Sequence, residues 1–288
     1  MRRVITVGTF DGVHRGHREV IATLIREAAA KGAVPTVVTF DRHPLATVNP
    51  AKCPPLIESL QMRDEMLRRA GVDVIVIPFT EEIRRKTARE WMLRLREDYD
   101  AAGIVIGYDN RFGSDGSRLD TRDFIRAGKE CGIDVTEATE IEGCSSSAIR
   151  SAVAEGDLDK ATRLLGRPFS ISGRVTKGKQ LGRTIGFPTA NLSVDPRQLL
   201  PPKGVYAGTA VIDGTRHPAI INIGTNPTVS DSDSIKIEAH IKDFEGELYG
   251  RPLTLELSRK IRDEKKFASL DDLKRQIKED IVSAGLAD

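Results

Sequence analysis

Apolar residues recur along this chain with two different periods, and the change of period divides it. From residue 1 to about 165, short apolar runs alternate with segments of helical periodicity. Val4–Val7, Thr36–Phe40, Val74–Pro78 and Ile104–Ile106 read as buried strands, and 16–31, 59–70, 87–98 and 121–131 as amphipathic helices. In the first helix the apolar positions are Val20, Leu24, Ile25 and Ala28, with Gly32 as its stop. Thr87 with Glu90 forms a capping box at the head of the third. Buried strands alternating with helices predict an α/β doubly wound parallel sheet, in which ligands sit beyond the carboxyl ends of the strands. Helices at about 147–155 and 157–165 close this half. Gly166-Arg167-Pro168 then breaks the pattern, which places a domain boundary between 1–166 and 167–288.

Beyond residue 168 the period shortens. Phe169–Thr176, Val205–Ile212, Ala219–Ile223, Ile235–Ile241 and Leu253–Arg259 read as strands, and Asp213-Gly214 is a hairpin turn signal. Helical spacing returns at Leu270, Leu273, Ile277 and Ile281, behind a cap of Ser269 and Asp272. Together these predict a small antiparallel β-barrel with a C-terminal helix.

Composition narrows the function classes. The 288 residues carry 44 basic against 42 acidic side chains, a net charge of +2, which argues against a dedicated nucleic-acid binder. Clusters such as Arg84-Arg85-Lys86 read as solvated helix faces. The cysteines Cys53, Cys131 and Cys144 are far apart, with neither metal-ligand nor disulfide-framework spacing, and no signal peptide or membrane span is visible. A cytoplasmic protein that acts on small molecules is expected, with no membrane and no nucleic-acid partner, as a monomer or weak homo-oligomer.

The strongest chemical signal follows the first strand, in Gly8-Thr9-Phe10-Asp11-Gly12-Val13-His14-Arg15-Gly16-His17. A strand, a glycine-bearing turn and a helix N-terminus make a phosphate site, because the free N–H groups and the helix dipole favour negative charge. His14 and His17, three residues apart, both reach toward it. Neither a P-loop ending nor a dinucleotide G-x-G-x-x-G is present. Two more unusual loops follow later strands on the same sheet edge: Asp41-Arg42-His43-Pro44, and Gly107-Tyr108-Asp109-Asn110-Arg111-Phe112-Gly113.

The second half has its own phosphate candidate in the Gly- and Lys/Arg-rich stretch Gly173–Asn191. Thr189 and Asn191 alternate to one side of an extended segment, where hydroxyl and amide oxygens suit Mg²⁺. Glu238 shares the polar face of Ile235–Ile241 with Lys236 and His240, a pattern that alone reads as a solvated strand face.

Taken together these residues resemble the prokaryotic bifunctional riboflavin kinase/FAD synthetase family over essentially the whole chain. The resemblance rests on Gly8–His17, Ser145–Arg150 and Gly182-Arg183-Thr184-Ile185-Gly186-Phe187-Pro188-Thr189-Ala190-Asn191, with further matches at Phe40–Pro44, Val105–Gly113 and Glu238–Gly250. It implies a nucleotidylyltransferase-type sheet followed by a six-stranded kinase barrel. The barrel would phosphorylate riboflavin with ATP to FMN, and the sheet would adenylylate FMN with a second ATP, giving FAD and pyrophosphate. For adenylyl transfer the resemblance implies roles for His14, His17 and Arg150. It implies nucleotide contacts at Gly8, Thr9, Phe10, Asp11, Gly12, Asp109, Arg111, Ser145, Ser146 and Ser147, and flavin contacts at Phe40, His43 and Pro44. For the kinase it implies Glu238 as general base and Thr189 and Asn191 as Mg²⁺ ligands. It further implies nucleotide contacts at Gly173, Lys177, Gly178, Gly182, Arg183, Thr184 and Phe187, and a flavin contact at Arg262. Arg42, Asn110, Cys144 and Ser147 depart from the usual pattern of the family. Two other readings compete: a nucleotidylyltransferase for another phosphorylated acceptor, and a flavin-binding regulator with one or both activities lost.

Overall fold

The computed structural model describes residues 1–108, 112–178, 181–225 and 235–286, excluding the side chains of Leu181 and Arg183. Its contacts divide the chain into two compact units. Met1–Leu56 with Leu60–Ser146 form the first, and Ile57–Ser59 with Ser147–Asp288 the second.

In the first unit, β1 (Arg3–Val7), β2 (Val34–Phe40), β3 (Asp73–Ile77), β4 (Ala101–Ile106) and β5 (Asp134–Glu137) form a sheet of order β3-β2-β1-β4-β5. Every pairing is parallel. Alternate residues feed opposite layers, as strand geometry requires. Ile5, Val38, Ile104 and Ile106 pack with Trp91, Met92, Leu95 and Phe124. Val4, Val37 and Val105 pack with Val20, Ile21, Leu24 and Leu67. This is the expected doubly wound sheet. Its order reverses at β1, which lies between β2 and β4, so the loop after β1 sits at the switch point where such sheets bind ligands. The pattern gave no sign of β5, a short strand whose sequence Asp-Val-Thr-Glu has only one apolar residue.

In the second unit, β6 (Phe169–Thr176), β7 (Ala190–Ser193), β8 (Gly204–Ile212), β9 (Thr215–Thr225), β10 (Ile235–Ile241) and β11 (Pro252–Arg262) close into a barrel, in the order β10-β7-β6-β11-β8-β9. All its pairs are antiparallel. Ile171, Tyr206, Ala210, Ile221, Ile223, Ile237, Ala239 and Leu255 fill it. Asp213 and Gly214 take φ of 48° and 83°, the primed turn that suits a two-residue hairpin. Helices Ser146–Glu155 and Leu158–Leu165 contribute Ile149, Val153, Leu158 and Leu165 to the same core. The tripeptide Ile57–Ser59 joins this unit through buried Ile57 and through Glu58, which accepts from Arg167 Nη2 at 2.7 Å and from Ser170 Oγ at 3.3 Å.

The last helix, Leu270–Ser283, departs from its apolar stripe. Leu270 is exposed, and the one buried residue of the helix is Asp280. A carboxylate takes that place because Arg262 meets it with both guanidinium arms, each 2.8 Å from an Asp280 oxygen.

Candidate active sites

The loop after β1 is held from below by β2. Gly8 N–H donates to Val38 O at 3.0 Å, and Thr39 Oγ1 donates to Thr9 O at 3.3 Å. Phe10 and Val13 both lie in the left-handed region, at φ of 49° and 39°, alongside Gly12 at 84°. For side chains with a Cβ, and for β-branched Val13 above all, this conformation costs about 1–3 kcal/mol each. Burial of both side chains holds them there. The sharp turn delivers His14 to the N-cap of helix Arg15–Ala30, where its Nδ1 accepts from His17 N–H at 3.3 Å. A backbone donor at Nδ1 leaves the proton of the neutral ring on Nε2. His17 stacks on His14, with ring centroids 3.6 Å apart and planes 19° from parallel, and Phe10 backs it at 4.9 Å.

A second segment joins this loop. Cys144 Sγ accepts from Gly16 N–H at 3.4 Å and lies 3.6 Å from His14 Nδ1. Ser146 Oγ donates to the carbonyl of buried Asp11 at 3.1 Å. The structure therefore brings half-buried Ser145 and Ser146 to the Gly8–His17 loop. Ser147 and Arg150 follow on the same helix and group by contacts with the second unit. The expected nucleotide contacts Asp109 and Arg111, with Asn110 between them, lie outside the described residues.

The loop after β2 begins at Phe40, whose buried ring packs edge-on against Phe79 and Trp91, at 5.0 and 6.1 Å. His43 caps the short helix Pro44–Val48, its Nδ1 accepting from Leu45 N–H at 3.1 Å. The Arg42 guanidinium beside Asp41 holds that carboxyl below its usual range, and the Phe79 N–H adds to the effect against the penalty of burial. Beneath both loops lies Arg63, which is 4% exposed and donates Nη2 to Phe40 O at 2.6 Å. Burial pulls its guanidinium below the usual value, and the charges of Asp11 and Asp64 oppose the pull.

The barrel site is built on strand register. Asn191 pairs with Thr176 on one side and Glu238 on the other; Glu238 pairs with Asn222, Asn222 with Val205, and Val205 with Arg262. Register partners share a face, so this row runs around the outside of the barrel, away from core residues Ile221, Ile237 and Ala239. Two cavities open beside it. One, of about 370 Å³, is lined by Glu238, Asn222, Gly182, Phe187, Arg262 and the helix residues Leu273, Ile277 and Asp280. The other, of about 640 Å³, is lined by Val175, Pro188, Ala190, Phe244, Leu248 and Tyr249. Thr189 lines both.

The remaining predicted kinase residues fall around these cavities. Gly178 lies against Asn191, where a Cβ would come within 2.6 Å of the amide oxygen. Lys177 Nζ lies 5.9 Å from the centre of the Tyr249 ring. Gly182 O accepts from Phe187 N–H at 2.8 Å, closing the turn that carries exposed Thr184. The Arg183 side chain lies outside the described residues. Gly173 serves the barrel itself: a Cβ there would stand 2.1 Å from Ser193 O on the neighbouring strand. Among the described residues no cluster of three or more His, Cys, Asp or Glu side chains could hold a metal.

Residues 1–152 match the family model for FAD synthetase, and residues 165–286 the model for riboflavin kinase. The bifunctional riboflavin kinase/FMN adenylyltransferase of Escherichia coli K12 is 40% identical, over 98% of this chain and 91% of that protein. Its namesake in Pseudomonas fluorescens is 38% identical over the same shares. This chain belongs to that family. The adenylyltransferase half comes first and the riboflavin kinase half second. A crystal structure described as a macrolide-efflux protein from Streptococcus pneumoniae shares the fold, with a TM-score of 0.86 and 30% identity, covering 100% of this chain and 95% of that one. Among the described residues no helix is long and apolar enough to cross a membrane.

Several residues of these two halves gave little signal in the sequence. Asn222 is the lone polar residue in the run Ala219-Ile220-Ile221-Asn222-Ile223. Asp280 stands three and seven positions after Ile277 and Leu273, on their stripe. Arg63 stands four before buried Leu67. In each case the available signal was one polar residue on an apolar face, where an unpartnered group would be costly.

Proposed function

We propose that the barrel phosphorylates riboflavin and the parallel sheet adenylylates the FMN so formed, with the division of labour near residue 166. In the barrel, Glu238 takes the proton of the ribityl hydroxyl as its oxygen bonds to the γ-phosphorus of ATP. The β,γ-bridging P–O bond breaks and ADP leaves. The flavin occupies the cavity bounded by Arg262, Phe187 and the last helix, and the nucleotide occupies the neighbouring cavity. Thr189 and Asn191 offer hard oxygen donors that fit Mg²⁺, which would neutralise phosphate charge there. In the sheet, a phosphate oxygen of FMN attacks the α-phosphorus of a second ATP and pyrophosphate departs. The nucleophile is already ionised, so the site needs donors rather than a base: the Nε2–H groups of His14 and His17, the helix N-terminus, the hydroxyls of Ser145, Ser146 and Ser147, and Arg150. The chain works on small molecules in the cytoplasm, as a monomer or weak homo-oligomer.

The observation that carries this reading is the meeting of two cavities at Thr189, one of them containing Glu238. A phosphoryl transfer between two substrates needs that arrangement. Incubation with riboflavin, ATP and Mg²⁺ should yield FMN first and FAD after it. Absence of both products under reducing conditions would sink the proposal.

A further inference from the structure

Lys236, Glu238 and His240 are two residues apart on β10 and share one face. His240 is engaged away from the row: its Nδ1 lies 2.9 Å from Pro188 O, and its ring meets Phe187 edge-on at 5.5 Å. Lys236 instead turns along the strand and places Nζ 2.7 Å from Glu238 Oε1. The two side chains are 30% and 24% exposed, and both line the 370 Å³ cavity with Arg262. Here the partner of the lysine is the proposed base itself.

We propose that Lys236 is a positioning residue for riboflavin phosphorylation: its ammonium holds Glu238 by one carboxylate oxygen and leaves the other to receive the ribityl proton. The inference rests on the assignment of Glu238 as base. A general base must stand within hydrogen-bond reach of the proton it takes, and a small misplacement is costly in rate. A glutamate on a strand has freely turning side-chain torsions, and a contact to Oε1 alone fixes them without occupying Oε2. The charge balance also suits the reaction. Before transfer the pair is neutral. As the hydroxyl oxygen bonds to the γ-phosphorus and ADP leaves, the proton passes to Glu238. The ammonium then stands uncompensated in the cavity where negative charge gathers on the phosphoryl group. His240 has a partner elsewhere, its Nδ1 lying 2.9 Å from Pro188 O.

The test compares K236M, K236R, E238Q and the K236M/E238Q double variant as full chains with riboflavin, ATP and Mg²⁺. K236M should lower kcat for FMN formation by about tenfold while KM for riboflavin stays within about twofold, and K236R should restore most of the loss. In the E238Q background K236M should cost nothing further, since a positioning residue has no role once its base is gone. FAD formation from supplied FMN should stay at the wild-type rate throughout, which reports a folded chain. An unchanged kcat in K236M, or the same tenfold loss repeated in the E238Q background, overturns the inference and leaves Glu238 as base. A wild-type kcat in E238Q overturns that assignment and the inference with it.

Discussion

In the parallel sheet the candidate site is made of donors aimed by backbone. A strained turn at Phe10 and Val13 delivers His14 to a helix N-cap, and His14 fixes its own tautomer by accepting from His17 N–H. In the barrel the candidate site is built around an acceptor aimed by register. Glu238 stands in a row of strand partners between Asn191 and Asn222, with a lysine on one oxygen. The difference follows the nucleophile. A phosphate monoester attacks already charged, so catalysis there consists of placing it and absorbing charge on the leaving group. A ribityl hydroxyl is neutral and must give up a proton, so a carboxylate is needed.

The sharpest way to break this comparison is to exchange the losses. Glu238→Gln should lower FMN formation by about 10²–10⁴-fold and leave FAD formation from supplied FMN intact. His17→Ala should do the reverse, cutting FAD formation by about 10²–10³-fold while FMN accumulates. Product chromatography on both variants decides it: a folded variant that loses both steps would refute the assignment of one reaction to each half.

This contrast was unevenly legible in the chain. Apolar period alone located β6 and β10 at their observed bounds, because apolar residues fall on alternate positions of each, at Phe169, Ile171 and Val175 and at Ile235, Ile237, Ala239 and Ile241. The strand β7, four residues long, showed in the sequence only as the extended segment of Thr189 and Asn191 inside a Gly- and Pro-rich stretch. The donors of the first site were legible because a helix N-terminus and two histidines are local in sequence. The strain at Phe10 and Val13 was not, since neither residue is a glycine and tertiary packing imposes the conformation. In the barrel, Glu238 looked like a solvated residue because its strand partners Asn191 and Asn222, and Arg262 in the lining of the same cavity, are distant in sequence and only strand closure assembles them. The same distance hid the pairing of Arg262 with Asp280, although a carboxylate on the stripe of Leu273 and Ile277 was a visible anomaly.

That pair supplies the next prediction. Asp280→Asn leaves the guanidinium of Arg262, whose side chain is 14% exposed, without its counter-charge. Breaking a buried pair from one side costs about 3–5 kcal/mol. The barrel should lose stability on that order in chemical denaturation. The riboflavin KM should rise about tenfold, because Arg262 and the last helix bound the flavin cavity. Adenylylation of supplied FMN should be unaffected, and a matching rise in its KM would show that the two sites are not independent in this respect.

A smaller effect probes the cation. At Gly178 a Cβ would fall within 2.6 Å of the Asn191 amide oxygen, so Gly178→Ala must push that amide aside. The Mg²⁺ concentration for half-maximal FMN formation should rise several-fold, with kcat largely recovered at saturating Mg²⁺. A magnesium titration of both activities checks this. An unchanged requirement would remove Asn191 from the proposed ligand set.

The smallest effect lies in the first half, at the loop where Arg42 departs from the family pattern. The side chain of Arg42 is the largest influence holding the Asp41 carboxyl below its ordinary value of 3.8, ahead of the opposing effect of burial and the Phe79 N–H. A carboxyl depressed in the folded state contributes stability above its unfolded value and loses that contribution as pH falls through the folded one. Arg42→Ala should therefore raise the Asp41 midpoint toward 3.8, so that this contribution is lost over a narrower and less acidic window. A carboxyl-carbon NMR titration of Asp41 reads the shift directly. At neutral pH Asp41 stays ionised and Phe79 N–H still donates to it at 2.9 Å, so FAD formation should change by less than about twofold. A larger loss would mean that Arg42 itself contacts the flavin phosphate, which would make the loop after β2 one more donor element in a site already defined by donors.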